Sequence, residues 1–291
     1  MAGSERDHVL IGLIGEGIGQ SLSPLLHQRE ADRQGIRLIY TIIDSEPLSL
    51  TAADLPEVLR WAQTLGYRGL NVTYPFKQEV VKHLDVLSDE ARALGAVNTV
   101  VFTNGRSNGY NTDWSGFRRG FEQGFVDAPR DRVVQLGAGG AGSAVAHAML
   151  TMDTGHLTVV DLDTEKAKHL TELLAKEFGP ERIAVGLQSN LSEILARAEG
   201  VINTTPVGMA HHPGSPIPDS DLRRDLWVAD VVYRPTETAL LRAARAVDAR
   251  TLDGGGMSAF QAIAAFEYFT GTTANVEAML ADSAELLTSD V

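Results

Sequence analysis

The residues best suited to chemistry in this chain stand at the ends of apolar runs. In Gly69-Leu70-Asn71-Val72-Thr73-Tyr74-Pro75-Phe76-Lys77, an amide, a hydroxyl and an ammonium group follow a strand-like stretch. Pro75 suits the first position of a helix, because its missing N–H has no intrahelical partner there. Lys77 then falls in the first turn, where the helix dipole mildly disfavours a cation. It is either a tolerated surface lysine or an acid–base group placed at the carboxyl end of a strand. Three other junctions carry polar groups: Ser21-Leu22-Ser23-Pro24, Gly95-Ala96-Val97-Asn98-Thr99 and Asn111-Thr112-Asp113. Taken singly, each has a structural reading. Ser23 makes a good N-cap before Pro24, Asn98 can tie backbones together, and Asp113 can cap the helix that follows.

The clearest motif is the run VVQLGAGGAGSAVAHAML, in which Gly137, Gly139 and Gly142 form G-x-G-x-x-G between a strand and an amphipathic helix. Such glycines permit a tight turn, close approach of backbone to a pyrophosphate, and tight packing of helix on strand. The phosphates then meet the free N–H groups of the helix N-terminus, drawn from Gly137, Ala138, Gly139, Gly140, Ala141 and Gly142. The next strand, HLTVVD, ends at Asp161, about twenty residues past the last glycine, where an acid hydrogen-bonds the ribose hydroxyls of NAD. A carboxylate there repels the extra phosphate of NADP, so NAD is expected and NADP less so. Asp161 could instead cap the helix from residue 163, although Asp163 can fill that role.

These groups need a scaffold with many strand ends. Strand-like runs at 9–15, 37–43, 69–73 and 97–102 alternate with helical patterns near 24–35, 52–66, 76–84 and 88–94. After a helix at 114–124, a second series has strands at 132–137, 156–161, 182–186, 200–205 and 227–233, with helices near 140–152, 163–178, 192–197 and 237–247. This alternation predicts βαβ units and mostly parallel sheets. Helices near 256–270 and 275–288 close the chain with no strand after them, so they must pack on something already built. The expected division is residues 1–113 plus 257–291 for one domain and 114–256 for the other.

Composition narrows the classes further. The 291 residues are 44% hydrophobic and 22% charged, with a net charge of −13 and no basic stripe, which argues against nucleic acid as a partner. With no cysteine there are no disulfides or thiolate metal sites. No His/Asp/Glu cluster has metal-ligand spacing, so metal is not expected. The start, MAGSERDH, lacks a cationic flank and a cleavage pattern, and VLIGLIG is too short for a membrane span. A cytoplasmic protein is expected, without a membrane partner, as a monomer or homodimer.

Taken together, SLSP (21–24), NVTYPFK (71–77), GAVNT (95–99), NTD (111–113), GAGGAG (137–142), NTTPVGM (203–209), DVVYRPTETALL (230–241) and GGGMSAFQA (254–262) resemble the shikimate and quinate/shikimate dehydrogenases, in that family's order and over nearly the whole chain. The resemblance implies an α/β protein of two domains: an N-terminal substrate-binding α/β domain and a doubly wound Rossmann NAD-binding domain, with a cleft between them. It implies a cyclohexane or cyclohexene polyol carboxylate as substrate. Ser21 and Ser23 would hold the carboxylate, helped by Thr73 and Tyr233, while Asn71, Asn98 and Gln261 would bind ring hydroxyls. Lys77 and Asp113 would stand at the reacting oxygen, with Lys77 carrying the proton and Asp113 orienting it. Thr205, Gly254 and Met257 would lie beside the nicotinamide, with Met257 and Gln261 on one side of their helix.

Within the family, NADP users typically carry Asn-Arg-Thr after the second Rossmann strand. Here Asp161-Leu162-Asp163-Thr164 resembles the NAD-using quinate/shikimate dehydrogenases. Ser23, where quinate-using members tend to carry threonine, resembles the shikimate-selective pattern. The expectation is NAD-dependent shikimate oxidation, with quinate as a second candidate. An aminoshikimate-type dehydrogenase and a non-catalytic NAD-responsive binding protein of the same fold are the alternatives.

Overall fold

The computed structural model describes residues 8–289; the start of the chain read above for signal features lies, up to Asp7, outside them. The described residues form two compact units, one running to Thr112 and resuming at Ala259, the other spanning Asp113–Ser258. Asp113, Met257 and Ser258 thus join the second unit, whereas the sequence reading ends the first domain at Asp113 and resumes it at Met257. Asp113 is the first residue of a helix whose phenylalanines enter the second unit's core, and Met257 packs against that same core.

In chain order the elements are β1 (Val9–Gly15), α1 (Ser23–Arg33), β2 (Leu38–Asp44), α2 (Ser45–Leu48), α3 (Leu55–Leu65), β3 (Gly69–Val72), β4 (Val86–Leu87), α4 (Asp89–Leu94), β5 (Thr99–Thr103) and β6 (Arg106–Tyr110). The second unit adds α5 (Asp113–Gly124), β7 (Arg132–Leu136), α6 (Gly140–Thr151), β8 (His156–Val160), α7 (Thr164–Phe178), β9 (Ile183–Gly186), α8 (Leu191–Leu195), β10 (Gly200–Asn203), β11 (Trp227–Asp230), α9 (Ala239–Ala246) and β12 (Thr251–Leu252). Helices α10 (Gly255–Thr270) and α11 (Val276–Thr288) close the chain.

The first unit's sheet has the order β2-β1-β3-β5-β6-β4 and is mostly parallel, as expected, with one reversed strand: β1 lies parallel to β2 and β3 and β4 to β6, while β5 runs antiparallel to both its neighbours. The reversal comes from a β5–β6 hairpin absent from the sequence reading. Its turn is Asn104-Gly105, with φ of 53° and 77°, a conformation that asparagine and glycine tolerate and that matches the twist of paired strands. Pleat alternation sends Ile14, Leu70, Val72 and Val100 to a core shared with Leu55, Leu59 and Ala62 of α3. Ile11, Leu13, Tyr40 and Val101 face the opposite way, against Ala265 and Phe269 of α10. Phe260, Ile263 and Phe266 of α10 pack with Leu26 and Ala31 of α1 and with Met279 and Leu286 of α11.

The second unit's sheet is wholly parallel, in the order β12-β11-β10-β7-β8-β9. Its central strands β7, β10 and β11 are buried on both faces. One face packs against α5, α6 and α7 through Phe117, Phe121, Val145, Met149, Leu170 and Leu174. The other packs against α8 and α9 through Leu191, Leu195, Leu240 and Leu241.

His27 of α1 is 1% exposed, among the rings of Tyr40, Phe266 and Phe269. Its Nδ1–H donates to the Ser23 carbonyl at 2.9 Å, which leaves Nε2 as a buried acceptor with no partner. Burial holds this imidazole down at about 4, against the smaller opposing pull of the Ser23 carbonyl. A group with its folded value depressed stabilises fully above its unfolded value and loses that contribution as pH falls towards the folded one. Between pH 7.5 and 5, the His27 contribution should therefore fall by about 2 kcal/mol. Urea unfolding at the two pH values should show His27→Gln, which takes up no proton, losing correspondingly less stability than the wild type; equal losses would refute the assignment.

Candidate active site

The polar residues singled out in the first unit gather at one edge of its sheet. Strands β1, β2, β3 and β6 end at that edge and antiparallel β5 begins there, with Asn71 opposite Thr99 and Thr99 opposite Tyr110. The loop bearing Ser21 and Ser23 leaves the same edge after β1. Asp44, at the end of β2, anchors this loop by accepting from the N–H groups of Gly17 and Ile18, each at 2.9 Å.

Ser23 does not act as the helix cap expected of it. It is the first residue of α1, Leu22 holds the cap position, and no side chain caps this end. The Ser21 hydroxyl accepts from the Ser23 N–H at 3.3 Å, while the Ser23 hydroxyl makes no bond among the described residues. Two hydroxyls therefore stand at the positive end of an eleven-residue helix, a setting that favours a carboxylate.

Lys77 is not in a helix. Residues 74–79 form turns and a bend, Tyr74–Pro75 is cis, and helical geometry resumes only in a short 3-10 turn at Val80–His83. The helix expected near 76–84, and the dipole argument built on it, do not hold. The side chain that decides is Phe76, 2% exposed in the core beneath β3. Its neighbour's backbone is also tied, since the Lys77 carbonyl accepts from the Val97 N–H at 2.8 Å. Half-buried Lys77 is thereby held beside the segment that carries Asn98.

Asn71 and Asn98 are 6% and 3% exposed and share one buried network. Asn71 Oδ1 accepts from the Tyr40 hydroxyl at 2.8 Å, and its Nδ2 donates to the Asn98 carbonyl at 3.3 Å and to Thr99 Oγ1 at 3.2 Å. Asn98 Oδ1 accepts from the Thr112 N–H at 2.7 Å and from Thr99 Oγ1 at 3.1 Å, while its Nδ2 donates to Thr112 Oγ1 at 2.9 Å. Thr73, just beyond β3, keeps its hydroxyl unengaged by the described residues. Gln261 shares a face of α10 with buried Ala265 and with Tyr268, whose ring stacks on Tyr110 at 4.1 Å.

In the second unit, β7 and β10 adjoin at the centre of the sheet where the strand order reverses, the place where open α/β sheets bind ligands. The glycine loop lies there, and its three glycines differ in purpose. Gly137 has φ +102°, and a Cβ on it would stand 2.7 Å from Thr204 Oγ1; one on Gly142 would stand 2.4 Å from the Gly137 carbonyl. The fold itself demands these two. Gly139 has an ordinary φ of −78° at the cap of α6, and a Cβ there would meet nothing within 4 Å. Open space above a helix N-terminus at an exposed glycine fits a pyrophosphate, with the N–H groups of Gly140, Ala141 and Gly142 as its donors. The loop is held from below by Gln135 of β7, fully buried, whose Nε2 donates to the carbonyls of Gly137 and Gly142 at 2.8 and 2.9 Å.

Asp161 is not a cap, since Asp163 caps α7 by accepting from the Glu165 N–H at 3.1 Å. The Asp161 carboxylate accepts from the Ala138 N–H at 2.7 Å and the Asp163 N–H at 2.8 Å, so it is fixed to the glycine loop at the end of β8. Thr205 is engaged within its own loop, donating its hydroxyl to Asn203 Oδ1 at 2.6 Å and accepting from the Val207 N–H at 3.2 Å. Asn203 Nδ2 in turn donates to Asp230 Oδ1 at 2.9 Å, and Thr238 donates to Asp230 Oδ2 at 2.8 Å. Burial pushes the Asp230 carboxyl up to about 6, against the opposing pull of the Val232 N–H, Thr238 and Asn203. Gly254 packs where a Cβ would stand 2.3 Å from the Val231 carbonyl, and Met257 lines a small cavity with Phe117, Phe121 and Asp230. Asp113, 5% exposed, opens α5, and Tyr233, 37% exposed, follows β11.

Sequence reasoning missed Tyr40, Thr99, Thr112, Gln135 and Asp230 as groups that hold the site. A signal existed for Gln135 and Tyr40, since a polar atom inside a buried strand needs a partner. Among the described residues, no group of three or more His, Asp or Glu side chains is placed to hold a metal ion, and no helix is long and apolar enough to cross a membrane.

A parallel sheet of this order with a glycine loop at its reversal, in one chain with a unit whose sheet edge collects hydroxyls, amides and an ammonium group, defines a dinucleotide-dependent dehydrogenase of two domains. A family model described as the shikimate dehydrogenase substrate binding domain matches residues 13–100. The chain is 54% identical over 281 residues to a shikimate dehydrogenase (NADP(+)) of Streptomyces avermitilis, covering 97% of each. It is 46% identical over 276 residues to a quinate/shikimate dehydrogenase (NAD(+)) of Corynebacterium glutamicum, covering 94% of this chain and 97% of the other. The solved structure of a quinate dehydrogenase from Corynebacterium glutamicum in complex with NAD superimposes with a TM-score of 0.89 at 44% identity, over 96% of this chain and 99% of that one. The chain belongs to the shikimate dehydrogenase family.

Because Gly139 alone of the three motif glycines lacks a packing reason to be glycine, Gly139→Ser should separate folding from cofactor binding. Serine is at least as good an N-cap as glycine, so the melting temperature should hold or rise slightly. The KM for the dinucleotide should rise about tenfold or more, roughly 1.4 kcal/mol, with the KM for the polyol little changed. An unchanged dinucleotide KM would mean that the pyrophosphate lies elsewhere.

Proposed function

We propose that this chain interconverts shikimate and 3-dehydroshikimate by hydride transfer, with NAD the preferred dinucleotide and quinate a second candidate substrate. The observation that carries the cofactor preference is Asp161, a carboxylate fixed at the end of β8 by two backbone N–H groups. The residues after it, Leu162-Asp163-Thr164, offer no cation to pair with a 2′-phosphate. The relatives differ here, one named for NADP and another for NAD, so the preference rests on this chain's own residues.

The dinucleotide, when bound, supplies the hydride donor or acceptor; the chain supplies everything else. Ser21 and Ser23, at the N-terminus of α1, bind the substrate carboxylate, with Thr73 and Tyr233 as further hydroxyl donors. Asn71, Asn98 and Gln261 bind ring hydroxyls and so fix which carbon is presented. Lys77 moves the proton at the reacting oxygen and Asp113 accepts a hydrogen bond from the same hydroxyl. These roles agree with the rigid setting of the two asparagines and with hydroxyls at Ser23 and Thr73 that no structural bond consumes.

Initial rates with the purified protein, crossing NAD and NADP with shikimate and quinate, should be fastest for NAD with shikimate. Asp161→Ser should narrow the NAD preference at least tenfold, about 1.4 kcal/mol. A wild type that favours NADP would refute the Asp161 argument and leave the polyol assignment standing. Lys77→Ala should lower kcat by about 10²- to 10⁴-fold with a smaller change in KM, as expected for a lost proton carrier. Retention of most turnover would remove Lys77 from that role.

A further inference from the structure

We infer that Tyr40 is a positioning residue for the reaction, acting through Asn71 to hold the amide oxygen that the ring-hydroxyl site presents. The inference rests on the functional reading above and concerns a residue that no motif marks. Tyr40 is 6% exposed on β2, an outer strand, while Asn71 is on β3, two strands away across β1. Adjacent strands lie about 4.8 Å apart, so the reach is about 10 Å. Tyrosine spans it over Ile11 and Leu13, which share its face, and its hydroxyl donates to Asn71 Oδ1 at 2.8 Å.

This bond anchors the oxygen of an amide. With the tyrosine donor on Oδ1, Asn71 Nδ2 must face the Asn98 carbonyl and Thr99 Oγ1, and both its hydrogens are used. What Asn71 can still offer a ligand is the second lone pair of Oδ1, an acceptor for a substrate O–H. The Asn98 carbonyl, which can only accept, keeps the nitrogen on its side; without the Tyr40 hydroxyl, Oδ1 loses the donor that holds it in place and occupies its other lone pair. Thr99 Oγ1 also donates to Asn98 Oδ1, so the setting of Asn71 propagates to the second asparagine. The Tyr40 ring has a further fixed neighbour in His27, 5.0 Å away, whose Nδ1–H is tied to the Ser23 carbonyl. One aromatic side chain thus touches the supports of the ring-hydroxyl groups and of the carboxylate-binding serine.

Tyr40→Phe keeps the ring and removes only the donor. Steady-state kinetics should show the KM for shikimate rising about tenfold or more, with the dinucleotide KM within about twofold of the wild type. In an Asn71→Ala background, adding Tyr40→Phe should change the shikimate KM less than about twofold, because a residue that acts through Asn71 has nothing left to act on. Thr99→Val, which removes the acceptor at the far side of the same amide, should give the same selective loss, so the result does not depend on one variant folding. A Tyr40→Phe enzyme indistinguishable from the wild type, or one that loses as much in the Asn71→Ala background, would overturn the inference while wild-type shikimate turnover upholds the functional reading. A wild type that neither turns over nor binds shikimate would overturn both.

Discussion

An amide buried from water must have its donors and acceptors met, and that requirement organises the substrate unit. Asn98 is almost fully buried, and its side chain is bonded on both atoms to Thr112 and on one to Thr99. Leaving any of these groups unmade would cost about 1–3 kcal/mol, a large share of a domain's net stability. The partners come from the entry to β5, its first residue and the turn after β6, so satisfying the asparagines fixes three strand ends against one another. The same bonds that make the sheet edge stable would, in the proposed function, make it a rigid template for a polyhydroxylated ring. Stability and recognition have one cause here.

The nucleotide-binding unit meets the same requirement with backbone groups. Gln135 and Thr204 bond the carbonyls of Leu136, Gly137 and Gly142, and Asp161 bonds the N–H of Ala138. These contacts hold in one shape a loop that forms no regular structure. Together with the Asp163 N–H, they fix the direction of the Asp161 carboxylate. Asp230 does the corresponding work for the loop after β10, ordering Asn203 and through it Thr205. A carboxyl buried this far ionises with difficulty, and three donors hold it only in part against that tendency.

Much of this was legible in the sequence, and the failures have physical reasons. The alternation of apolar runs located β1, β2, β3, β5 and the five main strands of the second unit, and the glycine spacing located the loop between β7 and α6. The helix placed at Pro75 was wrong because a local signal, proline before a polar stretch, was outweighed by the burial of Phe76. The β5–β6 hairpin was announced by Asn104-Gly105, a strong turn signal passed over because the strand after it, Arg106–Tyr110, is polar. β4 and β12, two residues each, are too short for any periodicity to mark. The supports of the site were the least visible: Tyr40 and Asn71 are 31 positions apart, and Asn203 and Asp230 are 27. Spacing along the chain says nothing of bonds made across a sheet.

The first unit is assembled from two segments, and the second lies wholly between them. Phe260, Ile263 and Phe266, which pack on α1, and Phe269, which covers Ile11 and Leu13, all lie beyond residue 258. During synthesis the nucleotide unit therefore has its whole sequence first, while the opening sheet waits with one apolar face uncovered. The last helices supply that cover, so this order of emergence makes the earliest-made part of the chain the last to mature.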